Sequence, residues 1–472
     1  MNFLGYIQQQ KSNIKKEQRG VILNMKKILI IICFLSFLLS ARGDLISFEI
    51  KDTKLASNIQ SELDSSDAGQ LGPNAIYDII LYSIVYETIN QFGETVEASG
   101  SISLPLNNDS AFPIYLFGHG TEVRRAGAPS MSGFNVLNMW VSTSGYIYAE
   151  PDYLGLGISQ GLHPYHLKDV SASTMIDMIF ATKNLCDGLN DIQYNEQLFI
   201  AGYSEGGYAA MAAVKEIQEN YVNVLEITMS FPMAGAYDLS GTMADLMLSE
   251  NEYEDPFYLP FFVLSYIEKY NLGSLDSFFK EEYADLLPDL FSGEYSGGYI
   301  NGFLPSIPID MLKDELVLQF QADPEFEFRL RLEENNLLNW VPTSTMYLFH
   351  GLVDERVPVE NTNIAYDSFN GQENENIYME ILDESYGGHQ DAAPYCLIQA
   401  FNISEGAKII YNKGDLNNDK IFNVSDIILL LNNILTNNFE GDLDKWISDL
   451  NRDNFNNIFD IILLVEKILA SN

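Results

Sequence analysis

From Ile76 onward, short apolar runs alternate with longer stretches in which apolar residues recur at helical spacing. Strands buried on both faces read as unbroken apolar runs, whereas helices lying on a sheet keep a period near 3.6 residues. The spacing predicts strands at Tyr77–Thr88, Thr95–Leu104, Pro113–Phe117, Gly145–Glu150, Gln197–Tyr203, Glu226–Pro232, Thr345–His350 and Ile377–Leu382, and helices at Asp169–Cys186 and Glu205–Asn220. Such alternation belongs to an α/β fold: a mostly parallel sheet with helices on both faces. Between Asp238 and Trp340 the strand rhythm stops and the chain becomes aromatic-rich and acidic. A segment of that length is too long for a loop, so a helical cap at about 238–340 is expected within a domain running over 44–410.

The front of the chain has a different pattern. Met25-Lys26-Lys27 precedes twelve mostly apolar residues, Ile28 to Leu39, and then Ser40-Ala41-Arg42-Gly43. A basic start, an apolar run and small residues make a secretory signal, and twelve residues are too few to anchor the chain across a bilayer. Residues 1–24 are then an over-extended start and residues 25–43 a signal peptide cut near Gly43/Asp44, so a secreted, extracellular protein without a transmembrane anchor is expected. Of three cysteines, Cys33 leaves with that signal, while Cys186 and Cys396 remain where a disulfide is permitted. The charge changes the picture further: 26 Lys and Arg against 66 Asp and Glu give −40, which argues against nucleic acid as a partner.

Candidate chemistry begins where the predicted strand Gln197–Tyr203 meets Gly202-Tyr203-Ser204-Glu205-Gly206-Gly207 and an alanine-rich helix. This is G-x-S-x-G in its strand–turn–helix setting, which lifts Ser204 into the open at a helix N-terminus. A serine hydroxyl needs a base, and the chain has five histidines. His389 lies in a glycine-bearing loop, Tyr386-Gly387-Gly388-His389, after the last strand, and is the best candidate; His119 and His350 end strands and suit backbone positioning, and His163 and His166 sit in one loop. Asp354, just past a strand end in Phe349–Pro358, is the candidate acid, with Glu355 as fallback. Backbone N–H groups of Glu205 and of Thr121, in Gly118-His119-Gly120-Thr121, are the candidate oxyanion hole.

Together with Glu150-Pro151-Asp152-Tyr153-Leu154-Gly155-Leu156-Gly157 and His163-Pro164-Tyr165, these motifs resemble the α/β-hydrolases of the secretory-lipase type over roughly residues 76–402. The resemblance implies an α/β-hydrolase fold, chain order Ser204, Asp354, His389, ester hydrolysis, and a lid at 238–340 bearing an acyl pocket. Asp152 precedes the nucleophile, contrary to that order, and reads as structural.

A repeat follows Lys413: Gly414-Asp415-Leu416-Asn417-Asn418-Asp419 recurs 34 residues on as Ser448-Asp449-Leu450-Asn451-Arg452-Asp453. Oxygen ligands at positions 1, 3, 5, 7, 9 and 12 of a calcium loop fall on Asp415, Asn417, Asp419, Ile421 carbonyl, Asn423 and Asp426, then on Asp449, Asn451, Asp453, Phe455 carbonyl, Asn457 and Asp460. Residues 414–472 resemble a type I dockerin, which implies a small all-α module, calcium, and a cohesin-type scaffold partner. Lys420 and Asn454 stand where the loop expects glycine.

The sequence thus points to a secreted serine carboxylic-ester hydrolase, a lipase or esterase acting through an acyl-enzyme on a small-molecule, lipid or carbohydrate ester, without an organic cofactor. Two other readings stand beside it: a serine peptidase of the prolyl-peptidase-like type, and an inert binding or assembly protein acting through its tail.

Overall fold

The computed structural model describes residues 42–65, 74–189, 192–369 and 373–471. The predicted start and most of the predicted signal lie outside them. Ten strands form one sheet: β1 (Leu45–Lys54), β2 (Ile79–Ile89), β3 (Thr95–Pro105), β4 (Ser110–Gly118), β5 (Ile147–Pro151), β6 (Gln193–Tyr203), β7 (Met229–Met233), β8 (Thr345–Gly351), β9 (Ile377–Leu382) and β10 (Tyr411–Asn412). Their order is β1-β2-β3-β5-β4-β6-β7-β8-β9, with β10 pairing β4.

The sheet is mixed: a parallel part from β5 to β9 carries an antiparallel edge that the expectation of a mostly parallel sheet did not specify. β1, β2 and β3 pair antiparallel, as do β3 and β5, while β5, β4, β6, β7, β8 and β9 run parallel. Alternate residues of the central strands face opposite layers, as a two-residue period requires. Ile114, Leu116, Leu198, Ile200 and Leu348 share a core with α1 (Lys168–Leu189) and α2 (Glu205–Glu216). Tyr115, Phe117, Phe199, Ala201 and Phe349 share the other with helices Ala56–Ser65, Val136–Thr143 and α3 (His389–Ala407). Aliphatic and aromatic faces of the same strands thus back different helix layers.

Residues 238–340 insert between β7 and β8 as a set of helices, including Tyr258–Tyr270, Asp314–Ala322 and Glu327–Glu334. Their apolar faces, with Phe261, Phe262, Phe320 and Phe328, join the core that holds α2.

Arg42 and Gly43, placed at the end of the signal by sequence, pack against the sheet domain. Arg42 Nε donates to the fully buried Asp177 at 3.1 Å, and its Nη1 reaches Tyr221 Oη at 2.6 Å. Gly43 N–H donates to Glu87 O, and with φ at +74° a side chain there would also strike Phe180 and Asp177. Cys186 and Cys396 are both free and buried.

After α3 the chain adds β10 to β4 and enters the tail, built on helices α4 (Val424–Thr436), Asp442–Ser448 and α5 (Ile458–Ser471). The buried Lys413 donates from Nζ to Trp446 O and Asp449 O, both at 2.7 Å, and Arg452 pairs with Asp109 at 2.7 Å.

Candidate active site

Ser204 sits between β6 and α2 with φ 62° and ψ −123°, a conformation that costs of order 1–3 kcal/mol for a residue other than glycine. Glycine on both sides makes the turn feasible. A Cβ on Gly206 would run into Gly118 O, one on Gly202 into Gly206 O, and one on Gly207 into Met233 O. Strand and helix therefore touch backbone to backbone. The Ser204 side chain makes no capping hydrogen bond to its helix, which leaves the hydroxyl for other chemistry.

His389 is the first residue of α3, not a loop residue as the sequence suggested. Gly388 caps that helix, and the His389 N–H donates to Glu355 Oε2 at 3.0 Å. Glu355, the fallback acid, thus holds the backbone of His389 and not its ring. The ring Nδ1 donates to Asp354 Oδ2 at 2.5 Å. Tyr203, beside the nucleophile, donates its hydroxyl to His389 O at 2.6 Å, and the two rings lie 5.0 Å apart. This clasp brings the His389 end of α3 to the Ser204 turn.

Asp354 is buried and fully committed. Its Oδ1 accepts from the N–H groups of Arg356 and Val357 at 3.0 and 2.8 Å, and its Oδ2 faces His350 Nε2 at 3.2 Å as well as His389. Burial would raise its carboxyl, but hydrogen bonds from His350 and His389 and their charge outweigh it and hold the group well below the usual carboxylate range. His350, expected only to position backbone, also lies behind the acid, with Nδ1 on Thr362 Oγ1 and Nε2 on Val357 O, both at 2.7 Å.

The loop after β4 lies over the nucleophile: a Cβ on Gly120 would stand 4.0 Å from Ser204 Cβ. Among the described residues the N–H groups of Thr121 and Glu205 have no acceptor within the chain. His119 fixes this loop from Nδ1 to Gly120 O at 2.7 Å and from Nε2 to Asp152 O at 3.2 Å. Asp152 is buried and accepts from Ser99 Oγ at 2.5 Å and Ser130 N–H at 2.8 Å, a structural role.

The pocket at Ser204 is walled by Tyr165, His166, Glu205, Tyr258 and Phe262, and it shares the wall residues Met243, Met247 and Phe262 with a second, wholly apolar cavity inside the cap. His166 is buried among rings, and burial pushes its imidazole down to about 4.

In the tail, both repeated loops have the donor chemistry of a cation cage. Each offers carboxylate, amide and carbonyl oxygens only, the ligands a hard cation takes. Asp415 accepts from Lys420 N–H at 2.9 Å, and Asp426 accepts from Leu416 and Asn423 N–H at 2.9 Å. Asp449 and Asp460 repeat this pattern with Asn454, Leu450 and Asn457. Lys420 and Asn454, at the expected glycine positions, have φ of 66° and 64°, so the turn is made without glycine. Among the described residues no three His, Cys, Asp or Glu side chains already converge as a metal cluster. By donor type and loop turn, the residues fit calcium.

No family model and no curated protein matches the chain. Solved structures do. A hydrolase from Legionella pneumophila superposes with a TM-score of 0.71 at 25% identity, covering 77% of this chain and 97% of that one. The rice cell wall degrading esterase LipA from Xanthomonas oryzae superposes with a TM-score of 0.69 at 25% identity, covering 78% of this chain and 100% of that one. Candida antarctica lipase A in its closed state, at 15% identity and a TM-score of 0.57 over 78% of this chain and 82% of that one, shares the fold. The neighbours are esterase and lipase hydrolases, and this chain's mixed sheet with helices on both sides matches them in fold. No helix among the described residues is long and apolar enough to cross a membrane.

Proposed function

We propose that the protein is a secreted serine carboxylic-ester hydrolase. The observation that carries the reading is a strained, uncapped Ser204 whose chain neighbour Tyr203 donates its hydroxyl to His389 O, while the His389 ring Nδ1 is held at 2.5 Å by a buried carboxylate. Ser204 Oγ attacks the ester carbonyl while His389 Nε2 takes its proton, and Asp354 keeps the other ring nitrogen protonated. The oxyanion receives the N–H groups of Glu205 and Thr121, and the alcohol leaves with the proton from His389. Water then attacks the acyl-enzyme by the same path and releases the acid.

The apolar cavity in the cap supports an acyl group of some length as its occupant, since Met243, Met247 and Phe262 line it and the Ser204 pocket alike. The tail is read as a dockerin-like module, with Asp415, Asn417, Asp419, Ile421 O, Asn423 and Asp426 holding one calcium and Asp449, Asn451, Asp453, Phe455 O, Asn457 and Asp460 a second. Calcium there supplies folding energy and no step of ester hydrolysis. A cohesin-type scaffold is the partner this reading implies.

The test is turnover of p-nitrophenyl esters from acetate to palmitate by the wild type and Ser204→Ala. The variant is expected to fold normally and lose several orders of magnitude in kcat. Full activity in Ser204→Ala would remove the reading.

A further inference from the structure

The loop Leu162–His166 reaches both candidate oxyanion donors. His163 Nε2 meets Glu205 Oε1 at 2.5 Å, and Glu205 carries one donor on its own backbone. Two residues on, Tyr165 Oη lies 2.9 Å from Oγ1 of Thr121, the residue with the other donor. We infer that His163 and Tyr165 are positioning residues that brace the oxyanion hole from one loop, a reading that rests on the hydrolase function proposed above.

The chemistry of the His163–Glu205 contact makes it a strong tie. Leu154 O lies 2.7 Å from His163 Nδ1 and can only accept, so that nitrogen carries a proton. One further proton is then shared between Nε2 and Oε1, and the buried pair is neutral overall. Both side chains are nearly solvent-free, at 7% and 5% exposure, so little water competes for the bond. Glu205 Oε2 has no partner among the described residues, so His163 provides this carboxyl with its hydrogen bond. Burial would raise the Glu205 carboxyl, but the charge and hydrogen bond of His163 prevail and lower it.

Tyr165 is held from the opposite side. Its ring stacks on Phe261 of the cap with centroids 4.5 Å apart and planes 13° from parallel, and Phe262 meets its edge at 4.9 Å. Seating of the cap therefore bears on Tyr165, and through its hydroxyl on Thr121. Donors must stand within a few tenths of an ångström of the oxyanion to act, so a loop that fixes both sets how well the tetrahedral species is held.

A merely structural pair would affect stability alone; a brace affects the transition state. The experiment compares wild type with Tyr165→Phe, His163→Phe and the double variant by kcat and KM on a p-nitrophenyl ester, melting temperature, and inhibition by an alkyl trifluoromethyl ketone. That ketone adds Ser204 Oγ to its carbonyl carbon, with the serine proton passing to His389, and leaves an oxyanion in the hole. Complete loss of one donor costs about 10²–10³ in kcat, so displacement of a donor is expected to cost about 10-fold for Tyr165→Phe and more for His163→Phe. KM should stay within about two-fold and ketone affinity should fall in step with kcat/KM. Tyr165→Phe that melts as wild type and keeps kcat and ketone affinity within about two-fold overturns the brace, and it decides alone if His163→Phe does not fold. Activity retained by Ser204→Ala instead removes the hydrolase reading, and the brace with it.

Discussion

Replacing Asp354 with Asn tests the catalytic reading at its most constrained atom. The side chain divides its labour: Oδ1 accepts from two backbone N–H groups, and Oδ2 faces two imidazoles. Asn has one oxygen, and the Arg356 and Val357 N–H groups, fixed in the chain, hold it. The NH₂ must then point at His389 Nδ1, which becomes the acceptor, and the ring proton moves to Nε2, where it faces Ser204 and bars it from acting as base. A serine-protease triad forced into the wrong imidazole tautomer by the same Asp-to-Asn change loses about 10⁴ in kcat, equivalent to about 5.4 kcal/mol in the barrier. Steady-state kinetics on a p-nitrophenyl ester at neutral pH should therefore show kcat down about 10⁴-fold with KM little changed. The stability profile provides a second readout. Because the Asp354 carboxyl is held low in the fold, its contribution is present in full above the ordinary carboxylate range and is lost progressively as pH falls from that range toward the lowered folded value. The melting-temperature gap between wild type and Asp354→Asn should thus narrow on going from pH 7 toward pH 3. A variant with kcat within ten-fold of wild type would refute the assignment of Asp354.

Other perturbations have equally definite outcomes. In the full-length chain, which keeps Arg42, Arg42→Ala leaves the buried Asp177 carboxylate without its cation, a loss of about 3–5 kcal/mol in stability by analogy with broken buried pairs. Burial raises the Asp177 carboxyl, so its charged form opposes folding, and the deficit measured by urea melts should be larger at pH 7 than at pH 4. Met247→Trp, in the wall common to pocket and cap cavity, should shift chain-length preference toward acetate, checked by the ratio of palmitate to acetate turnover. Calcium titration by calorimetry should give two sites per chain, and Asp415→Ala with Asp449→Ala should abolish both; an unchanged heat signal would rule out the cage.

Much of this arrangement was legible because its signals are local. The Ser204 turn is written in six consecutive residues, and the cap showed itself as a hundred-residue lapse in strand rhythm. Strand direction was less visible, although only Asn90–Glu94 separates β2 from β3, too few residues for the crossover a parallel pair needs. β1 also carried a signal: Ile46, Phe48 and Ile50 alternate with Ser47, Glu49 and Lys51, a two-residue period that its place beside the expected signal segment obscured. The His163–Glu205 and Tyr165–Thr121 contacts lie 42 and 44 residues apart in sequence, and no periodicity relates such partners before the sheet brings them together.

The strand Tyr411–Asn412 has a consequence for how the protein meets its surroundings. A Gly- or Ser-rich tether would let a catalytic unit sweep a sphere around its point of attachment. Here the chain passes from helix to strand to the first tail loop within Ala407–Asp415, pairs with β4 on the way, and is clamped by Lys413 and Arg452. Anything that gripped the tail would therefore also aim the mouth of the Ser204 pocket. Reach is traded for a fixed heading, so placement on a surface would decide which esters come within range.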